Sequence, residues 1–457
     1  MTLSLKRGSK ISQNAFAALM ALFALALVLL SPLPAEAQSG AHLDRDITIL
    51  QTLVANQPDA ELYYRLGDLY VQKGRQTGDI TYFNLAKNAL LQSLKLEPDL
   101  GASHRHLAYV LYSLHDFAGA ADESRTAIKL DPRDSYAYGV LGDSQLETGK
   151  YPEATQTYGQ MVALKGDLYS YSRRSGIETV HGHNAAAVAD LKRAIADGFQ
   201  DGQPREGIAW AQVRLAEDLF LMGNLDDAAV QAMAALQTYP GYHRALAVIA
   251  QVRAAQGRFA EAAQAYRGAI AVIPFPQYAA ALGDVYAAAG CHQQVGQMHQ
   301  LVEFIARLNT LNKVLYNRVL VDYYADHDLN HQEAVDLAQS EFKIRHDIYG
   351  EDALAWSLYR DHKSRAALAH MRAAVRFKTA DARLYFHAGM IYAALGRNAE
   401  ARASLQRALA INPHFQPLLD VVAAREYAEL GGKATPQLVT ADSSHPQMDC
   451  HATDVLH

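Results

Sequence analysis

The sequence predicts an all-α solenoid of about ten stacked helix-turn-helix units, on three observations. A ten-residue phrase recurs: ALGDVYAAAG at 281–290 has near-copies in RLGDLYVQKG at 65–74, VLGDSQLETG at 140–149 and HAGMIYAALG at 387–396. About a dozen residues after each copy comes Ala-x-x-x-large-x-x-Ala, followed in most cases by a proline. The whole set returns with a period of 34 residues in 101–134, 209–242, 243–276 and 382–415. A chain of 457 residues that is half apolar and 20% charged can bury the continuous core such a stack requires.

In chain order, residues 1–37 stand outside the pattern. Lys6, Arg7 and Lys10 form a basic start, Ala15 to Leu30 is an uninterrupted apolar run, and Ser31, Pro32 and Pro34 break it before Ala35-Glu36-Ala37. These are the parts of a secretory signal peptide, with cleavage expected after Ala37 and the product expected in the bacterial periplasm or outside the cell. An uncleaved membrane anchor is the competing reading, since about 16 apolar residues are marginal for spanning. The prolines and the Ala-x-Ala site favour cleavage, and no cysteine near it offers a lipid attachment point. Removing the leader takes the formal charge from -6 to -8, a poor match for nucleic acid. With only Cys291 and Cys450, one disulfide at most can form, and it would tie the body to the tail.

Residues 38–59 read as an N-terminal capping helix ending at Pro58, and residues 60–427 as the solenoid. The first unit, 60–100, keeps Leu66, Gly67, Tyr70, Ala86, Leu90 and Pro98. About seven extra residues around Arg75 to Thr81 are expected to lengthen the loop between its helices. Gly67, Gly142, Gly283 and Gly389 are expected where paired helices touch most closely, and in the degraded unit 169–208 Ser175 and Gly176 take that place. The second helix of the unit starting near Pro276 runs on past Arg307, and His362 to Arg365 stands where a Gly-centred turn is expected. Proline after a second helix, as at Pro98, Pro132, Pro240, Pro274 and Pro413, cannot continue it. Residues 428–457 lose the pattern, and a disordered tail is expected there, folding back into the groove being the alternative.

The period, with Leu-Gly-x-x-Tyr in the first helix and Ala-x-x-x-large in the second, resembles the tetratricopeptide repeat. The last three units also resemble a group of secreted bacterial repeat proteins of unassigned function, through Glu341-x-x-x-Arg345-x-Asp347-Ile348-Tyr349 and His387-Ala388-Gly389-Met390-Ile391-Tyr392. The resemblance implies a right-handed, elongated α-solenoid whose first helices line a curved groove for an extended peptide or a partner helix. Carried onto this sequence, the groove positions are Tyr64, Asp68, Arg105, Tyr109, Tyr112, Tyr136, Asp143, Trp210, Glu217, Phe220 and Asp284, with Arg244, Gln251, Arg383 and Phe386 in corresponding places. Asp68, Asp143, Glu217 and Asp284 share one position, and this acidic ladder either meets basic side chains of a partner or simply faces water. The aromatic residues either anchor a partner or pack within helix pairs. The Lys-and-Asn clamp by which some members of the family hold a C-terminal carboxylate has no counterpart at these positions.

Enzyme signatures are absent from the sequence: there is no H-E-x-x-H, no G-x-S-x-G and no G-x-x-x-x-G-K-[ST]. His181-Gly182-His183, Cys291-His292 with Met298 and His299, and Asp449-Cys450-His451 with His457 lack the paired spacing of a structural zinc site. The expectation is a non-enzymatic protein-binding scaffold of the bacterial envelope, without cofactor or metal. A self-associating structural protein and a metal- or small-ligand-binding accessory of a transport system are the alternatives.

Overall fold

In the computed structural model, which describes residues 35–311, 317–433, 448 and 450, the repeated phrase becomes helices joined by tight turns. Twenty-two helices and no strand occur among the described residues. Helix α1 (Ala35–Asn56) leads into α2 (Ala60–Thr77) with α3 (Ile80–Leu96), α4 (Gly101–Ser113) with α5 (Phe117–Leu130), and α6 (Ser135–Glu147) with α7 (Tyr151–Leu164). The middle of the chain pairs α8 (Leu168–Val180) with α9 (Asn184–Gln200), α10 (Arg205–Leu221) with α11 (Leu225–Thr238), and α12 (His243–Ala255) with α13 (Phe259–Val272). The remaining pairs are α14 (Pro276–Ala288) with α15 (His292–Leu311), α16 (Asn317–Asp326) with α17 (His331–Phe342), α18 (Ile348–Arg360) with α19 (Ser364–Ala374), and α20 (Ala382–Ala394) with α21 (Asn398–Ile411). Helix α22 (Leu419–Glu429) follows the tenth pair. The solenoid of ten units is thus an all-α stack, with α15 running past Arg307 as its sequence indicates.

Local chemistry explains the boundaries. Asp59, Asp134, Asp167, Asp347 and Asp381 each accept a backbone N–H at the start of a first helix. Every first helix is followed by a residue in the left-handed region; seven of these are glycine, and His115, Asp328 and His362 adopt the same geometry at φ 62, 60 and 59°. The turn at His362 to Arg365 therefore keeps the shape of its glycine-containing counterparts.

Within pairs, a Cβ on Gly67, Gly142 or Gly389 would stand 2.8, 2.5 or 2.6 Å from Leu90, Tyr158 or Leu405. Gly283 is less constrained, its Cβ meeting Met298 at an ordinary 3.4 Å, and Gly176 corrects the sequence reading, because nothing lies within 4 Å of its Cβ position. Of the two small residues read at the helix contact of 169–208, Ser175 is the buried one. Gly142→Ala is expected to destabilise the protein by about 1–3 kcal/mol, because Tyr158 is buried and cannot swing aside. Gly176→Ala is expected to stabilise it by up to about 1 kcal/mol through helix propensity alone. Denaturant titration of the two variants checks both signs.

A second correction concerns the insertion near Arg75. The extra residues lengthen the helices and not the loop: α2 and α3 have 18 and 17 residues against 13 and 14 in the next pair, and only Gly78 and Asp79 separate them. The longer α2 reaches across to later units, where Arg75 Nη2 lies 3.0 Å from Glu206 Oε2 and Gly78 packs on Ile273 and Phe275.

That reach is part of a larger closure. The Ile348 N–H donates to the Tyr151 hydroxyl at 2.7 Å, the Thr379 hydroxyl to the Val180 carbonyl at 2.5 Å, and the Asn412 amide to the Phe220 carbonyl at 2.8 Å. These pairs are 197, 199 and 192 residues apart, so the superhelix returns onto itself roughly six units along. Gly149 and Gly223 make the contact possible, since a Cβ on either would stand 2.4 or 2.5 Å from a carbonyl oxygen of the following turn. The open, elongated groove expected from the sequence is here a superhelix whose successive turns touch.

At the ends, α1 buries Ile47 and Val54 and donates from Gln51 to the Tyr70 hydroxyl at 2.8 Å. Residues 1–34 of the expected leader lie outside the described residues. No helix among the described residues is long and apolar enough to cross a membrane. In the tail expected to be disordered, Met448 and Cys450 pack against the core around α14 and α15, with Cys291 bonded to Cys450 and the Gln294 amide donating to the Cys450 carbonyl at 2.7 Å. The expectation does not hold at those two positions, where a covalent bond and apolar contact fix the chain.

Candidate partner-binding cavity

The four rungs of the acidic ladder stand on α2, α6, α10 and α14, the first helices of alternate units, and each meets a basic group from the next unit. Asp68 lies 3.3 Å from His106 Nε2, and Arg173 Nε donates to Asp143 at 2.9 Å. Arg214 Nη1 donates to Glu217 at 2.7 Å and Arg244 Nη2 at 3.3 Å, while Asp284 lies 2.7 Å from His327 Nε2. Asp352 of α18 and the fully buried His387 of α20 continue the scheme at 2.9 Å. The ladder therefore neither faces water alone nor waits empty. It stitches units together in twos, acid then base, an alternation visible in the sequence once basic positions are read beside acidic ones.

The aromatic groove positions are also engaged within the chain. Tyr64 meets His106 edge-on at 4.9 Å, Tyr109 and Tyr136 lie 6.4 Å apart, and Arg105 and Arg173 both stand 5.8 Å from the Tyr136 ring. Tyr112 donates to Glu147 at 3.2 Å, and Trp210 packs among the residues of α9 to α12. Of the eleven positions, Glu217, Phe220 and Asp284 converge on one cavity of about 670 Å³ on the concave side, where the two turns of the superhelix meet. Gln251, Arg383 and Gly176 line it as well, whereas Phe386 is core.

The cavity is acidic: eight carboxylates line it against three guanidiniums and two imidazoles. Burial pushes Glu217 up, yet Arg244 and Arg214 outweigh it and hold the carboxyl below its usual range. Burial raises Asp218 and Asp381 against their arginine neighbours. It pushes Asp322 up to about 6, against the pull of Arg383, whose Nη2 lies 2.9 Å away.

Models of the tetratricopeptide repeat match residues 47–93, 105–168, 213–279 and 382–415. Those stretches are tetratricopeptide repeats. A lipoprotein NlpI homolog of Haemophilus influenzae is 28% identical over 143 residues, 30% of this chain and 43% of that one. The small glutamine-rich tetratricopeptide repeat-containing protein 2 of Saccharomyces cerevisiae is 27% identical over 111 residues, 24% and 32% of the two chains. The matches thus span less than half the length of either relative. Among solved structures, a thermophilic tetratricopeptide repeat protein of Thermus thermophilus is 21% identical with a TM-score of 0.37, covering 42% of this chain and 98% of its own. Human IFIT1, solved as a dimer with PPP-AAAA, is 17% identical with a TM-score of 0.44, covering 82% and 86%.

The tetratricopeptide repeat pattern leads to two of the cavity's acids, Glu217 and Asp284, and misses the rest. Arg318, Asp322 and Asp326 lie on α16, in a unit whose pattern is weak, and Asp347 and Tyr349 begin α18. Within Glu341-x-x-x-Arg345-x-Asp347-Ile348-Tyr349, Glu341 and Asp347 lie 2.9 and 3.0 Å from Arg318, and Arg345 Nε lies 2.9 Å from Glu147 of the preceding turn. That segment is a joint between turns, and its acid-base spacing is its sequence signal.

Residues of the first two histidine clusters are engaged within the chain, while Asp449, His451 and His457 of the third lie outside the described residues. His181 packs edge-on to Phe377, His299 pairs with the Tyr323 hydroxyl at 2.7 Å, and Cys291 is in its disulfide. Among the described residues no group of three or more His, Cys, Asp or Glu is placed to hold a metal ion.

The Asp322 carboxyl makes a pH prediction. With its pKa raised from 3.8 to about 6, the folded state binds the proton more tightly than the unfolded state, so this group's contribution to stability falls as pH rises from about 4 to 6. Asp322→Asn removes that dependence. Its melting temperature relative to the parent protein is expected to become more favourable between pH 4 and pH 7, as calorimetry would show.

Proposed function

We propose that this chain is an exported, non-enzymatic scaffold of the bacterial envelope that binds a polypeptide partner on the concave side of its superhelix. The observation that carries this reading is the cavity itself. Its volume of about 670 Å³ falls in the range of sites for small ligands and short peptide segments. Aromatic side chains such as Phe415 and Tyr349 stand beside its charged groups, and such rings are favoured anchors at protein interfaces. A whole helix with its side chains is about 10–12 Å across, which favours a short extended segment over a helix as the occupant. The leader-like residues 1–37 support export, as does the similarity of part of the chain to a protein named as a lipoprotein.

Site-specific photo-crosslinking tests it. Benzoylphenylalanine replacing Phe415 in the cavity is expected to capture a discrete envelope protein in cells, whereas the same group replacing Val421, 66% exposed outside it, is expected to capture none. Equal yields at both positions overturn the reading.

A further inference from the structure

The basic residues of this chain are unevenly spread. Residues 363–410 hold nine lysines and arginines against two carboxylates, Asp381 and Glu400, in a protein whose formal charge is -6. Four of the nine are answered within the chain: Arg383 by Asp322, Arg397 by Glu400, Lys363 by Asp361, and Arg376 by the Tyr151 and Phe377 rings beneath it. Arg365, Arg372, Lys378, Arg402 and Arg407 are exposed, and among the described residues no carboxylate forms an ion pair with them.

These cations share one surface. Four of the five stand on α19 and α21, the second helices of adjacent units, on the sides turned away from the buried Met371 and Leu405. Arg397 chiefly, and Arg372 from the neighbouring helix, hold the Glu400 carboxyl below its usual range, so the charges of the two helices act on one another. The exposed residues between them are small, Ala366 and Ala369 on α19 and Ala399 and Ala403 on α21, which leaves the guanidiniums standing clear. The excess is local and not a property of the repeat: the second helices α11 and α17 carry Asp226, Asp227, Glu333 and Asp336 and no lysine or arginine.

What such a face fits follows from what surrounds its charges. Protein interfaces are anchored by apolar and aromatic side chains, and between residues 345 and 420 no large hydrophobic side chain is exposed. Single-stranded nucleic acid is held by stacking on exposed rings, which this face also lacks. Cations alone, on the convex side of the solenoid, match a broad anionic plane such as the headgroup phosphates of a bilayer, whose negative surface potential attracts basic clusters of this size.

We propose that the convex face of the last two helix pairs docks on an anionic phospholipid surface through Arg365, Arg372, Lys378, Arg402 and Arg407. This goes beyond the scaffold reading and is carried by other residues. Docked in this way, the protein lies with second helices against the bilayer and keeps its concave side, lined by first helices, open to a partner.

Cosedimentation with vesicles tests it, using residues 38–457, which retain all ten helix pairs and leave out the apolar leader. Vesicles of equimolar phosphatidylglycerol and phosphatidylcholine are expected to bind the protein, less so as salt is added, and vesicles of phosphatidylcholine alone to bind none. Reversing three charges together, by Arg365→Glu, Arg372→Glu and Arg402→Glu, is expected to weaken binding by about tenfold or more. The matched variant Lys95→Glu, Lys129→Glu and Lys192→Glu makes the same change of net charge at exposed positions of α3, α5 and α9, and is expected to bind as the parent does. Far-UV circular dichroism checks that both variants stay folded. Absence of binding, an equal loss in the two variants, or duplex DNA or polyglutamate bound more tightly than the vesicles overturns the proposal. Partner capture at Phe415 without vesicle binding sinks the membrane face and leaves the scaffold standing; vesicle binding without capture does the reverse.

Discussion

Replacing Trp356 with alanine is expected to destabilise the protein by about 3–5 kcal/mol. The side chain is 1% exposed and lies parallel to two rings, His387 at 4.1 Å and Tyr359 at 4.9 Å, with Phe386 at 5.6 Å. Alanine leaves a large void among groups that cannot all close in, because Phe386 is buried in the core and His387 is tied to Asp352. Trp356→Phe separates packing from polarity. It keeps much of the volume but deprives Asp326 of a donor, for an expected loss of about 1–3 kcal/mol. Denaturant titration of both variants, read by far-UV circular dichroism, checks the order; equal losses would mean that the indole N–H, and not the ring volume, dominates.

Loss of the Cys291–Cys450 bond is expected to have an effect of similar size. The bond closes a loop of 159 residues, and tethering ends that far apart removes chain entropy from the unfolded state worth about 3–5 kcal/mol. Cys291 is itself buried, so Cys450→Ser is the cleaner variant: it breaks the tether while leaving the Cys291 side chain in place. Reduction of the parent protein should lower its melting temperature to that of Cys450→Ser and leave the variant unmoved. The loss should concentrate in α14 to α22, because repeat units depend chiefly on their neighbours, and hydrogen exchange would locate it. A parent protein indifferent to reductant would show that the tether contributes nothing. Outside the cytosol such a bond persists, which agrees with the proposed export.

The repeated phrase at residues 65, 140, 281 and 387 gave the unit length, the helix contacts at Gly67, Gly142 and Gly389, and the count of ten units. These features are legible because each depends on a short stretch of chain and its nearest neighbour. The pairing of Asp143 with Arg173 and of Glu217 with Arg244 was within reach for the same reason, but only to a reading that compared adjacent units. The insertion at Arg75 lengthens helices where a longer loop is expected, because a mostly polar stretch is equally at home in a loop or on the exposed end of a helix; the decision came from what that end touches, Glu206 and Phe275.

By itself, then, the sequence determined the building block: a 34-residue helix pair, its turn, and its stacking on the next. Tertiary structure alone decided that Tyr151 meets Ile348, that Asn412 meets Phe220, and that acids from four first helices (α6, α10, α14 and α16) and two helix-capping aspartates share one cavity. The reason is geometric. Each unit turns slightly relative to the last, and contact between residues nearly two hundred positions apart depends on the sum of those rotations over about six units, a quantity no single repeat encodes.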